Sequence, residues 1–133
     1  MDEILKKIKD FHGHIGPFAV IGYKMGIIAN NYLGSEPFVK KVTVWTGTTP
    51  PISCIIDGIQ ISSGCTLGAG KISIKSDGIP KVYFSNENGK TLEIKLKREI
   101  EDDISKNVTK ENMIDYSLNL LKKSDKELFE ILL

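Results

Sequence analysis

Pro17-Phe18-Ala19-Val20-Ile21-Gly22-Tyr23-Lys24-Met25-Gly26-Ile27-Ile28-Ala29-Asn30-Asn31-Tyr32-Leu33, followed by Gly34, is the stretch on which the fold turns. Pro17 suits the first turn of a helix, because its fixed φ is already helical and an N–H there would lack an intrahelical partner. Gly34 suits the position just past the last turn, and Pro37 prevents much continuation. Lys24, Asn30 and Asn31 interrupt the run, and it falls short of the ~20 apolar residues that a bilayer core requires. The stretch therefore reads as a buried helix rather than a membrane span. Within it Ala19, Gly22, Gly26 and Ala29 recur every three or four residues. Such a smooth stripe lets another backbone approach closely, which explains glycines that each cost about 1 kcal/mol of helix propensity.

Working outward, Ile4, Leu5, Ile8 and Phe11 follow the period of a short amphipathic helix that delivers the chain to Phe11-His12-Gly13-His14-Ile15-Gly16. Downstream, β-branched and aromatic residues predict a strand over 39–46, ended by Gly47-Thr48-Thr49-Pro50-Pro51. Ile52, Ile55, Ile56 and Ile59 do not alternate, so residues 52–62 are expected to be helical with Gly64 as the stop. Strands are expected over 71–75, 81–85 and 91–97, with Asn88-Gly89 as the hairpin turn between the last two. Leu92, Ile94 and Leu96 alternate with Glu93, Lys95 and Lys97, which gives that strand one core face and one wet face. Thr109 is expected to cap a helix through Lys123, and Ser124-Asp125-Lys126-Glu127 has capping-box spacing that opens a final helix to Leu133. No repeat or linker divides the chain. The expectation is one α+β domain over 1–133, helices packed on a largely antiparallel sheet.

With 41% hydrophobic and 26% charged residues the composition is that of a globular protein, not a disordered one. Eighteen basic residues against 17 acidic give a formal net charge of +1, and the basic ones are scattered, which disfavours nucleic acid or an anionic membrane as partner. The N-terminus, Met1-Asp2-Glu3-Ile4-Leu5-Lys6-Lys7, lacks the basic start and apolar core of a secretory signal, so a cytoplasmic location is expected. In a reducing compartment two cysteines are thiols, ligands or core residues more often than a disulfide.

His12, His14, Cys54 and Cys65 are all the histidine and cysteine in the chain, and all fall at turns or element ends. Two imidazoles and two thiols match a tetrahedral zinc site in kind, although the ten residues between Cys54 and Cys65 are not zinc-finger spacing. A buried core thiol is the competing reading of Cys54, which sits among isoleucines. At the start of a helix Cys54 would be favoured as thiolate, which suits a ligand or a nucleophile equally. Asp57 and Gln60 follow at helical spacing and form a polar seam beside it. Gly64, Gly68 and Gly70 flank Cys65 and Thr66, a loop able to offer backbone amides to an anion. Trp45, Tyr23 and Lys24 read as pocket residues or as ordinary structural ones.

Phe11-His12-Gly13-His14-Ile15-Gly16-Pro17-Phe18, Gly22-Tyr23-Lys24-Met25-Gly26, Cys54-Ile55-Ile56-Asp57-Gly58-Ile59-Gln60 and Ser63-Gly64-Cys65-Thr66-Leu67-Gly68 together resemble the FmdE family of formylmethanofuran dehydrogenase proteins over roughly residues 8–100. The resemblance implies an α+β core domain with a metal-binding pocket, commonly a homodimer. It also implies an accessory place beside a molybdenum or tungsten formylmethanofuran dehydrogenase of methanogenesis and one-carbon metabolism. Gly16 stands where the family usually has cysteine and Phe18 where it usually has glycine, and the cysteine-paired zinc ribbon of some members has no counterpart in residues 101–133. Three functions follow as expectations. The first is a metal-binding accessory protein holding Zn²⁺ or a similar divalent ion through His12, His14, Cys54 and Cys65, with Asp57, Gln60 and Thr66 supporting the bound group. The second is an enzyme with a cysteine nucleophile and a histidine base. The third is a module binding a pterin or another anion at the glycine-rich loop.

Overall fold

A computed structural model describes residues 2–133. The elements run α1 (Glu3–His12), α2 (Pro17–Leu33), a 3-10 turn (Pro37–Val39), β1 (Lys40–Val44), α3 (Cys54–Ser63), β2 (Ile72–Ile74), β3 (Lys81–Asn86), β4 (Thr91–Leu96), α4 (Arg98–Asn107), α5 (Met113–Lys122), α6 (Asp125–Leu128) and β5 (Phe129–Leu132). The five strands form one sheet in the order β2-β1-β3-β4-β5, parallel only between β1 and β2 and antiparallel elsewhere. The class is α+β, as the periodicities predict. Among the described residues no helix is long and apolar enough to cross a membrane.

The central helix spans the expected residues, with Pro17 at its start and Gly34 at its end in a positive-φ conformation, φ +97°. Its partner is α3, and the two backbones touch. A Cβ on Gly22 would lie 2.0 Å from the Ile55 carbonyl oxygen, one on Gly26 1.9 Å from Ser62 Oγ, and one on Gly58 2.1 Å from the Ala19 carbonyl oxygen. The smooth stripe of α2 thus fits a glycine on the facing helix that sequence spacing had not singled out. Gly22 meets Ile55, while Gly26 and Asn30 meet Ser62, so the two helices advance together and their first turns lie toward the same end. Because β1, α3 and parallel β2 make a crossover, α3 starts beyond the C-terminal end of β1.

Three expectations need correction. The last helix stops at Leu128 instead of Leu133: the Ser124–Glu127 capping box forms, but residues 129–132 are extended and pair with β4, Phe129 opposite Leu96 and Ile131 opposite Ile94. The free edge of β4 offers backbone donors and acceptors that outweigh weak local helix preference, and Phe129 is buried there. Thr109 does not begin its helix; it exchanges hydrogen bonds with Asn112 in a turn, and the helix starts at Met113 and closes at Lys122. Residues 98–107, without an element in the sequence reading, form α4; Ile104 is buried and Ile100 packs on the core beside it, a stripe one residue wide on an otherwise polar helix. The strand expected over 39–46 is shortened at both ends, its first residue falling in the 3-10 turn and its last pair lying beyond Val44.

Where α2 and α3 meet, backbone must move to admit a methyl group. Gly58→Ala is expected to destabilise the chain by about 3 kcal/mol in urea unfolding. Gly68→Ala, where a Cβ meets nothing within 4 Å, is expected to stay within about 0.5 kcal/mol of the parent.

Candidate functional site

The histidine loop joins α1 to α2, so its position follows from the helix pair. His12 ends α1, Gly13 turns the chain with φ +96°, and Gly16 precedes Pro17 in extended conformation. The two imidazole rings lie with centroids 4.7 Å apart. His12 Nδ1 donates to Asp57 Oδ2 at 2.5 Å, joining α1 to the first turn of α3; the two side chains are 10% and 34% exposed. An ionised carboxylate only accepts, so in the neutral imidazole this bond places the proton on Nδ1 and leaves the lone pair on Nε2. Nε2 is buried and has no hydrogen-bond partner. A carboxylate on one ring nitrogen and a bare lone pair on the other is how proteins prepare a histidine to bind a metal or take a proton.

His12 and His14 line a cavity of about 500 Å³ together with Cys54, Gly16 and the start of α2. Its remaining wall comes from Pro51 and Ile52 before α3, from Glu101, Ile104 and Ser105 on α4, and from Val108 just after α4 and Met113 at the start of α5. Sequence reasoning missed the α4 part of that wall, Glu101, Ile104 and Ser105, because α4 itself was missed. Cys54 is the first residue of α3, as expected, yet its thiol is pushed up, first by burial and then by the negative charge of Asp57. The helix terminus does not deliver the favoured thiolate because desolvation and a like charge oppose it. The first N–H groups of α3 also donate to the preceding turn, Cys54 to Pro51 and Ile55 to Ile52.

Cys65 lies elsewhere. It is fully buried, with Sγ 3.7 Å from the Lys40 carbonyl oxygen, and is absent from the cavity wall. Among the described residues no three His, Cys, Asp or Glu side chains converge in the manner of a metal centre. Gln60 donates to Asp57 Oδ1 at 3.4 Å and accepts from the Leu67 N–H at 3.0 Å, tying the glycine-rich loop to the Asp57–His12 pair. Thr66 Oγ accepts from the Ala69 N–H, and the Cys65 N–H donates to Ser63. These loop amides are thus spent within the protein. Lys24 donates to the Leu121 and Lys123 carbonyls at the end of α5, Tyr23 is buried, and Trp45 is half-buried beneath Lys81, whose Nζ lies 4.3 Å from the ring centroid.

At Gly16 a Cβ would stand 3.1 Å from His14 Nε2. The side chain that the family usually carries there would therefore emerge beside His14, and the backbone at Gly16, φ −135°, suits any residue.

In metal-free protein, alkylation by iodoacetamide is expected to modify Cys54 alone, with a pH midpoint above that of a free thiol. Asp57→Asn, which removes the neighbouring charge, is expected to lower that midpoint. Peptide mapping of the alkylated chain across pH checks both outcomes.

Comparison with known proteins bears on the family and the fold. The sequence model of the family described as "FmdE, Molybdenum formylmethanofuran dehydrogenase operon" matches residues 11–130. A probable S-adenosyl-L-methionine-binding protein of Archaeoglobus fulgidus is 37% identical over 71 residues, which cover 51% of this chain and 19% of that protein. The chain therefore matches only a small part of that curated relative. The crystal structure of a tungsten formylmethanofuran dehydrogenase FmdE-like protein from Syntrophus aciditrophicus superposes with a TM-score of 0.67 over 98% of this chain and 69% of that one, at 17% identity, a likeness of fold. With the family matched from the histidine loop to β5, the chain belongs to the FmdE family.

Proposed function

We propose that this protein is a metal-binding accessory member of a molybdenum or tungsten formylmethanofuran dehydrogenase system in one-carbon metabolism, cytoplasmic and homodimeric. Zn²⁺ or a similar divalent ion would be held at the cavity by His12, His14 and Cys54, which line one wall but are not drawn together as a metal centre until the ion binds. The observation that carries this reading is the Asp57–His12 bond, which leaves a buried, unpartnered Nε2 on a residue of the cavity wall. Imidazole and thiolate are the donors zinc prefers, and three protein donors leave room for a further ligand. Bound there, the ion would supply Lewis-acid polarisation of a ligand atom. Asp57 orients the His12 ring, and Gln60 holds Asp57. Cys65 serves the packing between the 3-10 turn and β1 rather than the ion.

A second reading uses the same residues without metal: His12 Nε2 takes the Cys54 proton and Asp57 steadies the resulting imidazolium. The shared cavity favours it, and the raised thiol pKa weighs against it.

Metal analysis after reconstitution with zinc is expected to find one ion per chain. His12→Ala and Cys54→Ser should abolish that stoichiometry, Asp57→Asn should weaken affinity about 10- to 100-fold, and Cys65→Ser should leave it unchanged. Gly16→Cys, adding a thiol beside His14, is expected to tighten zinc binding by about tenfold or more, read by competition with a chromogenic chelator. Absence of stoichiometric zinc in the parent chain, or its loss with Cys65→Ser but not Cys54→Ser, overturns the metal reading. An alkylation rate of Cys54 at pH 7 that is indifferent to His12→Ala overturns the second.

A further inference from the structure

The cavity between the histidine loop and α4 is larger than an ion needs. At about 500 Å³ it falls within the range of roughly 300–1,000 Å³ typical of small-molecule sites. Phe18, Ile52, Ile104 and Val108 give it apolar walls, and no lysine or arginine lines it. The one formally charged side chain on the wall is Glu101, half-buried on α4. Three ion pairs occur among the described residues, and Glu101 belongs to none of them. The buried Nε2 of His12 adds a second acceptor without a donor.

Opposing charge also reaches the site. The first turns of α2 and α3, which contribute Phe18, Ala19 and Cys54 to the wall, carry the positive ends of two helix dipoles worth about half an elementary charge each, although the leading N–H groups of α3 are already spent on the turn before it. Glu101 offsets that partial charge, and without a lysine or arginine on the wall a phosphate or carboxylate ligand has no charged side chain to pair with.

We propose that this cavity takes a small organic molecule with a flat or branched apolar body and one protonated amine, the body lying against Phe18, Ile52, Ile104 and Val108 and the ammonium meeting Glu101. The ligand class is a hydrophobic amine, as distinct from a phosphorylated or carboxylated compound of the same size. The proposal stands on the cavity wall and does not require a bound metal.

The test titrates the whole chain, stripped of metal with EDTA, with three compounds of one shape and different charge: benzylamine, benzyl alcohol and benzoate. Binding is followed by backbone amide shifts in two-dimensional NMR. Metal-free protein keeps failure here separate from failure of zinc binding. Benzylamine is expected to bind about tenfold more tightly than benzyl alcohol, and benzoate more weakly than both, with shifts centred on Phe18, Ile104 and Val108. Glu101→Gln should erase the advantage of the amine and leave the alcohol within about twofold. Glu101→Lys should invert the order in favour of benzoate. Benzoate matching benzylamine, a preference indifferent to Glu101→Gln, shifts that map away from these residues, or no binding by any of the three overturns the proposal.

Discussion

Backbone contact between α2 and α3 is the constraint on which the rest of the structure depends. At Gly22 and Gly58 there is no room for even one methyl group, so the helices meet main chain to main chain, and at Gly26 the Ser62 side chain fills the space a Cβ would take. Helices this close have little freedom to slide, because each step would drive a side chain into a carbonyl. Their first turns lie toward the same end, which brings the loop before α2 and the turn before α3 to one place. The cavity follows from that placement, with the histidines arriving on one loop and Cys54 on the other.

The Asp57–His12 bond converts this placement into chemistry. It ties α1 to α3, sets the imidazole tautomer, and leaves Nε2 shielded from water without a donor. A buried polar atom without a partner costs free energy, and such costs are concentrated where proteins work. Gln60 extends the linkage to the backbone of the glycine-rich loop at Leu67, so a segment distant in sequence bears on the ring that faces the cavity. The same Asp57 charge that orients His12 also raises the Cys54 thiol, which weighs against a free nucleophile and means that an ion bound there would have to displace the thiol proton.

Where local preference and tertiary context agreed, the sequence was readable. Pro17 and Gly34 bracket α2, Gly64 ends α3 in a left-handed conformation, and Asn88-Gly89 turns the β3–β4 hairpin. Each signal is local, resting on the φ that proline imposes or that glycine alone readily adopts. Residues 129–132 defeated the same logic because their state depends on an open strand edge more than thirty positions away along the chain. Residues 98–107 carry an apolar stripe only one residue wide, Ile100 and Ile104 and then Val108, on an otherwise charged helix, a far narrower signal than the stripe of α2.

Sequence by itself determined the α+β class, the close-packing stripe of the central helix, the family, and the pairing of a histidine loop with the Cys54–Asp57–Gln60 seam. Those features are written in residue type and spacing, which local backbone geometry obeys. Only the tertiary structure decided which of the candidates meet. It placed His12 against Asp57, left His14 and Cys54 on the same wall, and withdrew Cys65 into the packing of β1. It also brought Glu101 to the cavity on a helix whose apolar stripe is one residue wide. Proximity across the fold depends on how close two backbones can come, and at Gly22 and Gly58 that distance is set by atoms that are absent.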